Sequence, residues 1–289
     1  MPATFRFRPR VTVVPSEAPG ADLAEALSRL RARRRLALLD GGGGRSRFSL
    51  LGFDPLATGS DPKNVPELRG FVGSLRRDGG DDVPFFPHFM GGFLGALAYD
   101  LGVVGETLDL PAEPWGQPLV VGGLYVDFLV RDHAVGTTWL VLGDEPGDGR
   151  PAVAERRAEL FSLLQGPAPE AAEPLPLGPL VRHVSGDEHC ARIERARGYI
   201  AAGDMYQANL AHRFTRRISG DPIDLYLRLR RLNPGPYMGF LRWGSSAAPG
   251  ESPTVSGEEG ALLSTSPELL LELDGNVART QPIKGTAPR

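Results

Sequence analysis

Glu268 and Lys284 are the two residues whose types and spacing most invite a chemical reading. Glu268 follows Ser266-Pro267 after an apolar run, and Lys284 stands within "TQPIKGTAPR". They are sixteen residues apart, with a turn signal, Asp274-Gly275-Asn276, near the middle. A hairpin turning there brings both to one open end. A carboxyl group and an amine so placed can work as acid and nucleophile. They can equally form a surface ion pair worth at most about 1 kcal/mol. Lysine usage bears on the choice: of 32 basic residues only Lys63 and Lys284 are lysines. A guanidinium stays protonated, whereas a buried amine can lose its proton and attack.

Other chemistries find less support. The histidines, His88, His133, His183, His189 and His212, show no i, i+4 pair of the kind a helical zinc site uses, so no metal site is expected within this chain. No Gly-x-Ser-x-Gly elbow is present. Gly41 to Gly44 suggest a phosphate loop, but no Gly-Lys-Ser/Thr follows, and a hairpin between strands is expected instead. A net charge of −3 exerts no global pull toward nucleic acid or anionic membrane. One cysteine, Cys190, precludes an internal disulfide and suits a reducing compartment. The first residues carry positive charge without a following apolar run, and the apolar stretch from Phe89 to Tyr99 is too short to span a bilayer. The expectation is a soluble, cytoplasmic protein.

The elements that must position the pair follow from periodicity. Asp22 to Arg35 reads as an amphipathic helix whose "RARRR" end is a solvated C-terminus. Pro118 to Arg131 and Thr137 to Leu142 read as paired strands, and Pro151 to Gln165 as a helix. Gly166 to Pro179 reads as a proline-rich linker or long loop. Ser185 and Glu188 form a capping-box signature for a helix ending at Gly203. "MYQANLAHRF" alternates like a strand. "DPIDLYLRLRRLN" reads as a helix burying Leu225, Leu229 and Leu232, and "PYMGFLRW" and "GALLST" as strands. Helices alternating with mostly antiparallel strands, without repeated βαβ units, indicate an α+β fold.

Four segments then carry a resemblance. "GGFLGALAYDLG" (Gly91 to Gly102), "YIAAGDMYQANLAHRF" (Tyr199 to Phe214), "NPGPYMGFLR" (Asn233 to Arg242) and "SPELLLELDGNVARTQPIKGTAPR" occur in the order found in the chorismate-utilising family. That family includes component I of aminodeoxychorismate synthase and of anthranilate synthase. The resemblance implies the amino-terminal part of an α+β sandwich of mostly antiparallel sheets flanked by helices. Residues 1–165 would form an N-terminal region, 166–180 a linker, and 181–289 the first part of the chorismate-binding domain.

The resemblance also assigns roles. Family members like anthranilate synthase carry alanine in "PIAGT", and aminodeoxychorismate synthases carry lysine, as here. It implies that Lys284 attacks C2 of chorismate, that Glu268 protonates the departing C4 hydroxyl, and that Gly285 and Thr286 contact the substrate. The chemistry needs a neutral amine and a protonated carboxyl. Reference values of about 10.4 and 4.3 give the reverse at neutral pH, and burial moves both the right way. A glutamine amidotransferase subunit would supply ammonia. Parts of the family's tryptophan site match Arg45, Ser46, Arg47, Phe48, Pro236, Tyr237 and Met238, while a serine of that site is replaced by Gly41. Family members continue well past "PIKGT", and the missing segment would hold the glutamates that bind Mg²⁺. The 289 residues therefore read as a fragment, a truncated frame or one piece of a split enzyme. Anthranilate synthase chemistry, or a non-catalytic remnant that binds a partner, remain alternatives.

Overall fold

The computed structural model describes residues 4–42, 46–58, 65–79, 89–103, 106, 117–144, 149–167, 177–244 and 260–283. The chain runs β1 (Phe5–Val14), α1 (Leu23–Arg29), β2 (Ala37–Asp40), β3 (Phe48–Gly52), β4 (Ala57–Thr58), α2 (Val65–Val72), β5 (Leu75–Arg77) and β6 (Gly92–Leu97). It continues through β7 (Val120–Tyr125), β8 (Phe128–Asp132), β9 (Thr137–Asp144), α3 (Val153–Gln165), β10 (Leu177–Arg182), α4 (Gly186–Ala202) and β11 (Phe214–Ile218). The last elements are α5 (Pro222–Leu232), β12 (Tyr237–Trp243), β13 (Gly260–Ser266), β14 (Leu269–Asp274) and β15 (Val277–Gln281).

Residues 1–170 and 222–289 form one compact unit, and residues 171–221 a second. An eight-stranded sheet, ordered β13-β12-β2-β3-β8-β9-β1-β5, organises the first. Its pairings are antiparallel except β1 with β5. Apolar side chains of α1, α3 and α5, among them Leu27, Leu164 and Ile223, pack with Leu38, Leu51, Leu140 and Phe240 of the sheet. A smaller sheet, β4-β7-β6, lies in the same unit. The expected α+β class with mostly antiparallel sheets is what forms.

Several boundaries differ from expectation. The run from Pro118 to Arg131 is two strands, β7 and β8, in different sheets; only β8 pairs with β9. The expected helix from Asp22 to Arg35 ends at Arg29, where Asp22 Oδ1 caps the start by accepting from the Ala24 and Glu25 N–H groups at 2.9 and 3.3 Å. The arginines that follow are not merely solvated. Arg31 pairs with Asp224 at 3.0 Å and Arg33 with Asp54 at 3.1 Å, while the Arg242 guanidinium donates to the carbonyls of Arg31 and Arg33. Nor does the chain divide at 166–180 into consecutive halves, since β12 pairs with β2 and returns residues after 222 to the first unit.

The second unit holds α4 and the antiparallel pair β10–β11. Ser185 Oγ caps α4 by accepting from the Glu188 N–H at 3.1 Å, and Gly203 ends it in the left-handed region at φ 85°. The expected strand over "MYQANLAHRF" does not form: residues 205–213 are irregular, Tyr206 is 95% exposed, and strand pairing begins at Phe214. Its alternation has no partner strand to satisfy among the described residues.

Candidate functional site

The hairpin expected around Glu268 and Lys284 is present. β14 and β15 pair through Asp274 and Val277 at the Gly275 turn, and Leu269 pairs with Gln281 at the open end. Glu268 immediately precedes Leu269. It is exposed, and its backbone exchanges hydrogen bonds with Ser266 Oγ, which donates to the Glu268 carbonyl at 3.2 Å and accepts from its N–H at 3.3 Å. Lys284, Gly285 and Thr286 lie outside the described residues. What the register shows is that β15 ends three residues before Lys284, on the side where Glu268 stands.

Of the residues matched to the tryptophan site, Arg45 lies outside the described residues. Ser46 and Phe48 adjoin Gly41: a Cβ built on Gly41 would lie 2.6 Å from Ser46 Cβ and 2.6 Å from the Phe48 carbonyl oxygen. Met238 is buried and lies opposite Asp40 in the β12–β2 ladder. These residues therefore meet at the end of β2. Pro236 occupies the turn into β12, and the Tyr237 hydroxyl donates to Gln281 Oε1 at 2.6 Å. Arg47 is committed elsewhere, donating to Asp132 at 2.7 Å while its guanidinium lies 4.9 Å from the Phe48 ring centre.

At this end of β2 the structure holds a polar cluster that sequence reading missed. Asp40 is 4% exposed. Its Oδ2 accepts from Arg230 Nε at 2.6 Å and from the Tyr226 hydroxyl at 3.0 Å; its Oδ1 accepts from the Gly42 N–H at 2.9 Å and from Ser49 Oγ at 3.5 Å. Ser49 Oγ also accepts from the Gly41 N–H at 2.9 Å and lies 2.7 Å from His133 Nε2. Burial pushes the Asp40 carboxyl up, but the hydrogen bond and charge of Arg230, with the Gly42 and Tyr226 donors, outweigh it and hold the group below its ordinary value. Burial, then the neighbouring Asp40 charge, pushes the Tyr226 hydroxyl far up, so it remains a donor. The order of contacts is not that of a hydrolytic triad. Ser49 sits between the carboxylate and the imidazole and is itself buried.

A signal for this cluster exists in α5. Ile223, Tyr226 and Arg230 fall at i, i+3 and i+7, one helix face. The face expected to be buried, Leu225, Leu229 and Leu232, is not the one in the core: Ile223 and Tyr226 are fully buried and Leu232 is 84% exposed. A tyrosine and an arginine on a buried face imply a buried acid to receive them.

Among the described residues no three His, Cys, Asp or Glu side chains converge where they could hold a metal ion. Among the same residues no helix is long and apolar enough to cross a membrane.

The family model for chorismate binding enzymes matches residues 54–289. Anthranilate synthase component 1 of Streptomyces coelicolor is 32% identical over 265 residues, covering 86% of this chain and 48% of that protein. Aminodeoxychorismate synthase component 1 of Bacillus subtilis is 28% identical over 277 residues, covering 90% and 56%. The crystal structure of anthranilate synthase component I from Streptococcus pneumoniae superposes with a TM-score of 0.57 at 21% identity, over 81% of this chain and 53% of that one. The chain thus spans about half the length of the relatives it matches. On the match over residues 54–289, the chain belongs to the family of chorismate binding enzymes.

Proposed function

We propose that this chain carries the aminating half-site of an aminodeoxychorismate synthase component I, converting chorismate and ammonia to 4-amino-4-deoxychorismate and water. The observation that carries the reading is lysine at position 284 in "PIKGT", three residues beyond a hairpin whose register ends beside Glu268. The neutral Lys284 amine attacks C2 of chorismate, both ring double bonds shift by one position toward C4, and the C4–O bond breaks. Glu268 delivers the proton with which the hydroxyl leaves as water. Ammonia then adds at C4, both double bonds shift back, and the C2–N bond breaks, the lysine amine leaving neutral by keeping its own N–H protons. Gly285 offers close backbone approach to a substrate carboxylate, with Thr286 beside it.

Burial favours the neutral amine and the protonated carboxyl that this sequence of steps requires. Glu268 is exposed in the 289 residues, so the reading needs further polypeptide to cover it. Mg²⁺ belongs to the same proposal, with ligands outside the described residues, and no step above runs through it. Ammonia would come from a separate glutamine amidotransferase component in the cytoplasm.

The test joins this chain to the remaining half of the Bacillus subtilis relative and supplies chorismate, ammonia and Mg²⁺. Aminodeoxychorismate is the expected product. Anthranilate as the direct product would assign the chain to the other named branch, and a complete fold without turnover would leave a partner-binding remnant.

A further inference from the structure

Two strand ladders meet at Pro267, and one side-chain hydrogen bond closes the junction between them. We propose that Tyr237 is a positioning residue: by donating to Gln281 it fixes the strand that leads to Lys284 against the turn that carries Glu268. The inference deepens the amination reading and rests on it for the roles of Glu268 and Lys284.

The contacts form a closed ring. Tyr237 pairs with Ser266 in the β12–β13 ladder, at the rung nearest Pro267. Ser266 Oγ holds the Glu268 backbone from both sides, donating to its carbonyl at 3.2 Å and accepting from its N–H at 3.3 Å. Leu269, the next residue, pairs with Gln281. The Tyr237 hydroxyl then returns to Gln281 Oε1 at 2.6 Å.

The hairpin is poorly equipped to hold that end alone. A two-stranded hairpin is marginal in water, and every residue of β15 is exposed. The register also shifts between Leu269 and Glu272, which separates the last rung from the regular pairing nearer the turn. Tyr237 stands on a firmer base: β12 lies between β13 and β2 in the eight-stranded sheet, and Met238 beside it is buried. Pro282 carries the constraint onward. Its ring fixes its own φ and biases Gln281 to extended backbone, so holding Gln281 sets the direction in which the chain leaves for Lys284.

Backbone amide exchange of the 289-residue chain tests the tether without reference to catalysis. Tyr237→Phe keeps the ring and removes the donor. It is expected to speed exchange from Arg279 to Gln281 about fivefold, the worth of one hydrogen bond, and to leave Val277 and Ala278 beside the turn unchanged. Gln281→Leu should do the same, and the double variant should add nothing. Gln281→Glu still offers the hydroxyl an oxygen and should exchange like wild type. In the enzyme completed with the Bacillus subtilis half, Tyr237→Phe is expected to lower kcat about tenfold with KM for chorismate little changed. Exchange from Arg279 to Gln281 that stays at the wild-type rate in Tyr237→Phe, or that rises equally at Val277, overturns the tether. Wild-type kcat in Tyr237→Phe while Lys284→Arg is inactive overturns the positioning role and leaves the amination reading standing. An active Lys284→Arg overturns that reading and the positioning role with it.

Discussion

Leu269 pairs with Gln281 at the end of the β14–β15 ladder away from its turn. That single register point puts Glu268 and the approach to Lys284 on the same side. Lys284→Arg in the completed enzyme is therefore expected to abolish amination although it keeps the charge, because a guanidinium does not deprotonate at working pH. Lys284→Ala should lose C4 amination as well, and mass spectrometry should find a substrate-derived adduct only on the lysine-bearing peptide. Retention of most activity by Lys284→Arg would make the lysine a binding charge.

Asp127 ties the sheet to the segment that leads into α3. Its Oδ1 accepts from the Gly143 N–H at 2.9 Å, and its Oδ2 accepts from Arg150 at 3.1 Å and from Arg156. The carboxylate is 4% exposed. Asp127→Ala removes a buried acid that two guanidinium groups face and should cost about 3–5 kcal/mol, read by urea unfolding.

His133 should give the chain an acid-side sensitivity. Burial, reinforced by Arg131, holds its imidazole below the ordinary value near 6.5, so the unfolded chain binds the proton more readily than the folded one. Stability then rises with pH through this range. The contribution is intact above about 6.5 and fades as pH falls through the lower folded value. His133→Asn should flatten the denaturation midpoint between pH 5 and 7 (about the titration range of histidine). An unchanged slope would place the sensitivity elsewhere.

Gly41→Ser restores the hydroxyl that the family's tryptophan site carries, yet it should destabilise the fold. The new Cβ would stand 2.6 Å from both Ser46 Cβ and the Phe48 carbonyl oxygen, one of them backbone. Overpacking of this kind costs about 1–3 kcal/mol. Calorimetry should show a lowered midpoint that L-tryptophan does not recover.

How far these features could be read from sequence depends on whether their causes are local. The cap of α4 was legible because Ser185, Glu188 and Gly203 act on backbone within a few residues. The β14–β15 turn was legible for the same reason, at Gly275. The Asp40 cluster was not, because Asp40 and Arg230 are about 190 residues apart and each alone reads as a surface charge. Periodicity along α5 favoured its leucines, but the core took Ile223 and Tyr226, whose hydroxyl has a buried acid to reach. Arg31 and Arg33 likewise seemed ordinary solvated charges until Asp224 and Asp54 were placed beside them.

The pairing of β2 with β12 also has a consequence in time. Leu38 pairs with Phe240, about 200 residues later. At roughly 5–20 residues per second, a ribosome delivers that partner about 10–40 s after β2 has emerged. Throughout that interval one edge of β2 has no neighbour, and Asp40 waits in water for a cation not yet synthesised. A nascent chain held short of residue 230 should accordingly be the species that chaperones engage and proteases cut.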